Sequence, residues 1–324
     1  MTGALRRIRA VAPEPLRERA RVLLAGRIER RQRRSSSVLG AAIVMHAVGP
    51  RPGDPDLEVD AAVGADRLGR IAGYLAGRYE LVRASELPAA ARARRPGERV
   101  PVAMTFDDDL PSHRDHAMPV LARHGAVGTA FLCEAESPFW WQLLQVAVDE
   151  RSLRSLPELP DRLVADAVAR VPRAIRRLAG AIENLPAPAR DRVARALASA
   201  VSSQPAVLGV DGAAALVEGG WELGFHTTRH EPLLALDAEA LETALERRPD
   251  RATGSLPRTL AYPHGKAGAR EAQAARRAGY AAAFTGYASV LTEGTDDHLI
   301  GRLQPPTSTV GRFALGLARA LAAG

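Results

Sequence analysis

Residues 101–109 read PVAMTFDDD, from Pro101 to Asp109, and the reading of this stretch decides the fold. A short, almost wholly apolar run is the pattern of a strand buried on both faces, and its charged end marks where the strand meets a loop. Asp107, Asp108 and Asp109 repel one another, so the arrangement costs stability unless a cation or hydrogen-bond donors compensate. Side chains that follow one another at a strand's end can diverge, which lets one aspartate bind a metal while the next stays free as a base. Taken alone, the segment also fits a polar turn whose aspartates cap a helix.

Working outward, the run VLGAAIVMHAV (residues 38–48) reads as another buried strand, followed by a helix over Ala65–Arg78 and a strand near Tyr79–Val82. After the aspartates come a helix over His113–His124 and a strand in AVGTAFLC (126–133). This β–α–β alternation predicts a parallel sheet with helices outside. The rhythm breaks between about residues 134 and 207, where stretches such as DRLVADAVARVPRAIRRLAGAIENL (161–185) are helical in composition; we read a helical insertion there. Strand and helix then alternate again through WELGFHTT (221–228), RTLAYPHG (258–265), the helix Ala267–Ala278, YAAAFTG (280–286) and a last helix over Gly311–Ala322. The expected organisation is a basic helical arm over 1–36 and an α/β barrel over 37–324, interrupted by the insertion.

Two further motifs follow apolar strands. In His226-Thr-Thr-Arg-His230 the imidazoles stand four residues apart, a spacing that on a helical turn lets both chelate one ion. In Tyr262-Pro263-His264-Gly265, proline and glycine predict a sharp turn, which can aim a backbone N–H into a cleft. All three motifs end a strand of a β–α unit, which is where α/β barrels place their active sites. One aspartate and two histidines make an open site for a divalent ion that acts as Lewis acid and water activator.

These motifs, TFDDD, HTTRH and AYPHG, resemble those of the polysaccharide deacetylases of the NodB-homology family (carbohydrate esterase family 4). The resemblance extends to Met45-His46 and to HRDHAMPVLARHGAVGTAFLC, covering roughly residues 38–133 and 207–315. It implies a distorted (β/α) barrel with fewer than eight strands. It also implies Asp107 as catalytic base, Asp108, His226 and His230 as ligands of one divalent metal ion, with zinc the first expectation, and the His264 backbone N–H as an oxyanion donor. Four departures stand out, the first being that Leu260 and Ala261 stand where many members begin the third motif with an arginine. Asp109 occupies a position that is usually glycine, which we read as an aspartate tolerating φ > 0. His264 stands where relatives usually have tyrosine, and the late Leu–His motif that supplies the general acid is absent. His298 is the nearest candidate acid, with His264 and His46 as rivals; Arg302 resembles an arginine that orients the base. Tyr262, Pro263, His46, Trp140 and Trp141 are candidate substrate-binding residues. The two tryptophans, which follow Phe139 in a chain only 4% aromatic, can alternatively pin the insertion to the barrel.

The whole composition fits this picture without adding to it. With 324 residues, 46% of them hydrophobic and 25% charged, the chain is that of an ordinary globular protein. No apolar run reaches the roughly 18 residues that span a bilayer, no signal-peptide pattern precedes the first motif, and Cys133 is the single cysteine, so a cytoplasmic protein is expected. The net charge of +7 rests almost entirely on arginine, much of it in residues 6–34, where Leu16, Ala20, Leu23 and Leu24 recur at helical spacing. That segment has no aromatic residue, so no nucleic-acid partner is expected. It reads first as a solvated basic helix, then as a peripheral contact with an acidic membrane surface or a partner protein.

The expected function is therefore removal of an N-acetyl group from an N-acetylated sugar, glycan or glycoconjugate. The alternatives are a deacylase acting on another amide, a degenerate carbohydrate-binding member without catalysis, and an iron oxygenase, whose two histidines and one carboxylate do not call for Asp107 or an oxyanion turn.

Overall fold

The computed structural model describes residues 13–324, so the first third of the basic arm lies outside the described residues. Helix α1 (Glu14–Arg34) opens the chain. Strands β1 (Ala41–Met45), β2 (Val48–Gly49) and β3 (Val63–Gly64) follow, with helix α2 (Ala65–Arg78), strand β4 (Glu80–Val82), helix α3 (Leu87–Ala93) and strand β5 (Pro101–Asp107). Next come a π-helical turn His113–Ala117 running into helix α4 (Met118–Ala122), and strand β6 (Thr129–Leu132). Four helices then succeed one another: α5 (Trp140–Asp149), α6 (Asp161–Val168), α7 (Ala174–Glu183) and α8 (Ala187–Ala200). Helix α9 (Gly209–Glu218), β7 (Glu222–Phe225), α10 (Ala238–Leu245), β8 (Thr259–Ala261), α11 (Ala269–Arg277), β9 (Ala282–Phe284), β10 (Arg302–Leu303) and α12 (Val310–Ala323) complete it.

The principal strands are parallel and lie in the order β10-β1-β5-β6-β7-β8-β9, a nearly closed seven-stranded barrel, with β4 beside the first half of β5 and β6 beside the second. A parallel bridge between Phe284 and Ile300 links β9 to the segment leading into β10. Period-2 alternation sorts the side chains. Ala42, Ala103, Phe131, Ala261, Ala282 and Phe284 belong to the interior cluster, while Ile43, Met45, Met104, Phe106 and Leu303 pack outward with Leu68, Ile71 and Leu75 of α2. The narrow barrel leaves little room inside. A Cβ on Gly224 would lie 2.5 Å from the Phe131 ring, so glycine is required there for β7 to pack beside β6.

The sequence places these elements well, with shorter strands than the apolar runs suggest. The run 38–48 yields two strands, because the strand breaks at His46 and Ala47. The stretch His113–His124 starts as a π turn. Helices α5 to α8 carry a core of their own, including Leu144, Ile175, Leu178, Ile182, Val193 and Leu197. They are tied over the loop that joins β2 to β3: the Val59 N–H donates to Gln145 (2.9 Å) and the Arg173 N–H to the Asp56 carbonyl (2.6 Å).

Helix α1 lies against α12 through a buried face that is partly polar. Ala25, Gly26, Glu29 and Gln32 are covered, whereas Leu16 and Leu23, picked out by helical spacing, are 56% and 69% exposed. Glu29 accepts hydrogen bonds from the hydroxyls of Tyr74 and Tyr79 (2.9 Å for the latter) and pairs with Arg78 at 3.2 Å; the Gln32 amide donates to the Ala318 carbonyl at 2.9 Å. Among the described residues no helix is long and apolar enough to cross a membrane. Replacing Glu29 by Ala strands the buried Tyr79 hydroxyl without its acceptor, and we expect a loss of about 1–3 kcal/mol in urea unfolding. Glu29→Gln, which keeps an acceptor, should lose less.

Candidate metal centre and active-site cleft

The alternation that builds the barrel also aims its functional groups. Along β5 the inward set is Ala103, Thr105 and Asp107; along β7 it is Glu222, Gly224 and, one step past the strand, His226; along β1 it runs through Ala42 and Val44 to His46. Asp107, His226 and His46 therefore meet at the C-terminal mouth of the barrel, in a cleft of about 510 Å³.

Asp108 turns the chain there. It is the residue in the left-handed region (φ 72°), not Asp109 as the sequence suggests. Asp109 points away from the cleft: its carboxylate accepts from the N–H groups of Cys133 (2.9 Å) and Ala135 (3.3 Å), tying the end of β5 to the end of β6. Burial pushes its carboxyl up to about 6 despite those bonds.

Arg302 of β10 grips Asp107 in a buried bidentate pair, Nη1 to Oδ1 at 2.5 Å and Nη2 to Oδ2 at 2.6 Å. Its Nε donates to the Thr285 carbonyl at 3.1 Å. Burial alone would raise the pKa of Asp107, but the guanidinium outweighs it and holds the carboxyl well below the usual range. Asp107 is thus held as the carboxylate at neutral pH.

Asp108 has no such partner. Its Oδ1 is buried without a hydrogen bond. Burial, offset only in part by His46, together with Asp107, Asp60 and Asp109, pushes its carboxyl up to about 7. Against Oδ1 stand Nε2 of His230 at 3.6 Å and Nε2 of His226 at 3.8 Å. One donor atom each from Asp108, His226 and His230 lies within 4.8 Å of the others. The Nδ1 of His226 sits 2.8 Å from the Ala261 carbonyl, which can only accept, so Nδ1 carries the proton and Nε2 a free lone pair. Burial draws the pKa of His226 down to about 4 and that of His230 well below its ordinary value, so both stay neutral as ligands must. A buried orphaned carboxylate oxygen facing two imidazole nitrogens fits a divalent cation. The histidines converge through an irregular loop and not the helical turn their spacing suggests, with Thr227 (φ 60°) and His230 (φ 45°) both left-handed.

The turn after β8 is sharp, a single 3-10 turn with His264 at φ 57° and Gly265 at φ 65°. A Cβ on Gly265 would meet Gly286 at 2.6 Å, so the two loops touch backbone to backbone. The His264 ring lies against His230, centroids 4.6 Å apart, and its Nδ1 is 3.0 Å from Glu183 at the end of α7. Glu183 comes from the insertion and Asp60 from the β2–β3 loop; both line the cleft, and the sequence marks neither. Trp140 and Trp141 line it as well. Trp141 stacks on Phe139 at 4.3 Å and leans on His230 at 4.7 Å, so the aromatic triplet borders the candidate metal donors.

Three candidates fall elsewhere. His298 is buried outside the cleft, with Nε2 2.8 Å from the Tyr280 carbonyl. The Tyr262 hydroxyl donates to the His298 carbonyl at 2.8 Å, fully buried. Tyr262 follows Ala261, an inward residue, and so points outward by strand parity, while Pro263 is buried in the turn. None of the three is among the residues that line the cleft.

A family model described as polysaccharide deacetylase matches residues 194–283, a stretch that holds His226, His230 and the His264 turn but not the aspartates. No curated protein matches the chain in sequence. Among solved structures, the deacetylase PplD of Streptococcus pyogenes, in complex with acetate, aligns with TM-score 0.59 at 13% identity over 88% of this chain and 99% of that one. The putative polysaccharide deacetylase BA0330 from Bacillus anthracis gives 0.52 at 15% identity over 86% and 69%. A de-N-acetylase from Aggregatibacter actinomycetemcomitans gives 0.50 at 16% identity over 84% and 96%. At these identities the likeness establishes the fold, a nearly closed (β/α) barrel of the NodB type. The sequence likeness to polysaccharide deacetylases is confined to the matched segment, residues 194–283.

Removing Arg302 should show how the site is held. Arg302→Met leaves the Asp107 carboxylate buried and unpaired, and we expect a loss of about 3–5 kcal/mol in chemical unfolding. Adding Asp107→Asn to that variant should recover part of the loss; a strictly additive double variant would mean that the two residues do not act as a pair.

Proposed function

We propose that the protein is a metal-dependent hydrolase that removes the N-acetyl group from an N-acetylated sugar or glycoconjugate, releasing acetate and a free amine. The observation that carries this reading is the orphaned Oδ1 of Asp108 facing two imidazole nitrogens, beside a second aspartate held ionised by Arg302. Asp108, His226 and His230 would hold one divalent ion, for which zinc suits the donor set. When bound, such an ion supplies a Lewis acid that polarises a carbonyl and acidifies water.

The chain's own groups do the rest. Asp107 accepts the proton of the attacking water at its carboxylate. Arg302 keeps it deprotonated and fixes its direction, and in doing so lowers its proton affinity, so Asp107 suits an already acidified water and not a neutral one. The turn at Pro263–Gly265 presents backbone toward the cleft, where the His264 N–H can stabilise the developing oxyanion. With His298 outside, His264 and His46 are the imidazoles left in the cleft for protonating the leaving amine. Trp141, stacked on Phe139 beside His230, offers an apolar face to a pyranose ring. Ionised Asp107 next to the three donors favours hydrolysis over oxygen chemistry, which has no use for a base at that position.

Asp107→Asn should lower acetate release from N-acetylated glycans or glycoconjugates by about 10²–10⁴-fold while the protein still binds one equivalent of metal by elemental analysis. His226→Ala should lose both metal and turnover. Full activity in Asp107→Asn would overturn the mechanism. Trp141→Ala should act differently, raising KM for sugar substrates several-fold with a smaller change in kcat; an effect confined to kcat would remove Trp141 from sugar binding.

A further inference from the structure

The face that α1 turns away from the barrel takes no part in the cleft, and it has a chemistry of its own. Leu16, Arg19, Leu23, Arg27, Arg30 and Arg31 are all exposed and follow one another at spacings of three, four and one residue, which sets them along one side of the helix. The acidic residues of the helix are engaged elsewhere. Glu14 pairs with Arg17 and Arg21 at 2.8 and 2.7 Å. Glu18 accepts from the Thr309 hydroxyl (2.7 Å) and the Gly311 N–H (2.9 Å) at the start of α12, and Glu29 is buried. Among the described residues, Arg19, Arg27, Arg30 and Arg31 have no carboxylate partner. The outer face therefore carries no carboxylate among these residues, and its arginines are interspersed with exposed Ala20 and two leucines that are more than half exposed.

We infer that this face docks the protein on a bilayer containing anionic phospholipid. Charge complementarity calls for an anionic partner, and three features select a lipid surface. From Leu16 to Arg31 the stripe runs about 22 Å at 1.5 Å per residue, long enough to meet several headgroups at once. The leucines need an apolar region just beneath the charge, which the headgroup–acyl boundary supplies and a phosphate backbone does not. The helix has no aromatic side chain on which a base could stack. The opposite face is anchored through Glu29, Gln32 and Glu18, so the stripe is presented already folded and docking does not have to order the helix backbone.

Sedimentation of the full chain with phosphatidylcholine vesicles, with and without phosphatidylglycerol, tests the inference. Binding is expected only to the anionic vesicles, and it should weaken as salt rises. The triple variant R27Q/R30Q/R31Q should lower the partition coefficient on the order of a hundredfold, and L16S/L23S should weaken it as well. These positions are exposed and outside the cleft, so unfolding midpoints and metal content should match the parent chain. Absence of binding to anionic vesicles, or undiminished binding by either variant, overturns the inference. So does equally tight binding to single-stranded DNA that is indifferent to L16S/L23S, since it would make the face a site for polyanions in general.

Discussion

The structure depends above all on one buried ion pair. Arg302, on β10, crosses β1 to reach Asp107 at the end of β5, and its third nitrogen reaches the Thr285 carbonyl just past β9. It therefore spans the stretch where the barrel is joined by a single bridge, Phe284 to Ile300, and not by a full ladder. Taking two charges out of water costs several kcal/mol per ion, and only good geometry with further hydrogen bonds recovers that cost. Here the pair is bidentate, and Thr105, itself bonded to the Ile43 carbonyl, lies 3.3 Å from Nη1. The closure of the barrel and the charge state of the proposed base are thus one fact.

Asp108 is the counterpart to that pair. Its neighbour has a cation from the chain, and it has none, although both are buried. The same desolvation that Arg302 offsets at Asp107 is uncompensated one residue later, and that asymmetry is what makes the site read as a place for an ion. The backbone is shaped to it: Asp108, Thr227, His230 and His264, all at or beside the cleft, adopt left-handed conformations that non-glycine residues seldom take. The barrel supplies the donors from its strand ends. The insertion adds a wall of Trp140, Trp141 and Glu183 that the barrel lacks.

Much of this was legible in the sequence because strand parity and short spacings carry it. Apolar runs ending in Asp107 and His226 fix both the sheet and the direction of those side chains, and the adjacency of Asp107 and Asp108 signals divided roles. Arg302 could be picked out because it follows the last strand. Asp60 and Glu183 could not, since one lies in an irregular loop and the other ends a helix of the insertion, and neither belongs to a periodic pattern that points at the barrel. Tyr262 and His298 were drawn in by their nearness to motifs. Parity along β8 already sends Tyr262 outward from Ala261, and its bond to the His298 carbonyl shows where that side chain goes. The left-handed turn was expected one residue late, at Asp109, because three like residues in a row do not reveal which of them turns the chain.

Cys133 gives the wall behind the histidines a built-in clock. It is the single thiol of the chain, buried, with its N–H held by Asp109 and its Sγ 3.5 Å from the His226 carbonyl. Burial and the nearby carboxylates push the thiol well above its ordinary pKa, so in the closed structure it is both unreachable and protonated. Any reagent that alkylates this thiol must wait for β6 and the His226 loop to part. The rate of that one reaction would therefore time the local opening of the wall behind the histidines, separately from the unfolding of the barrel as a whole.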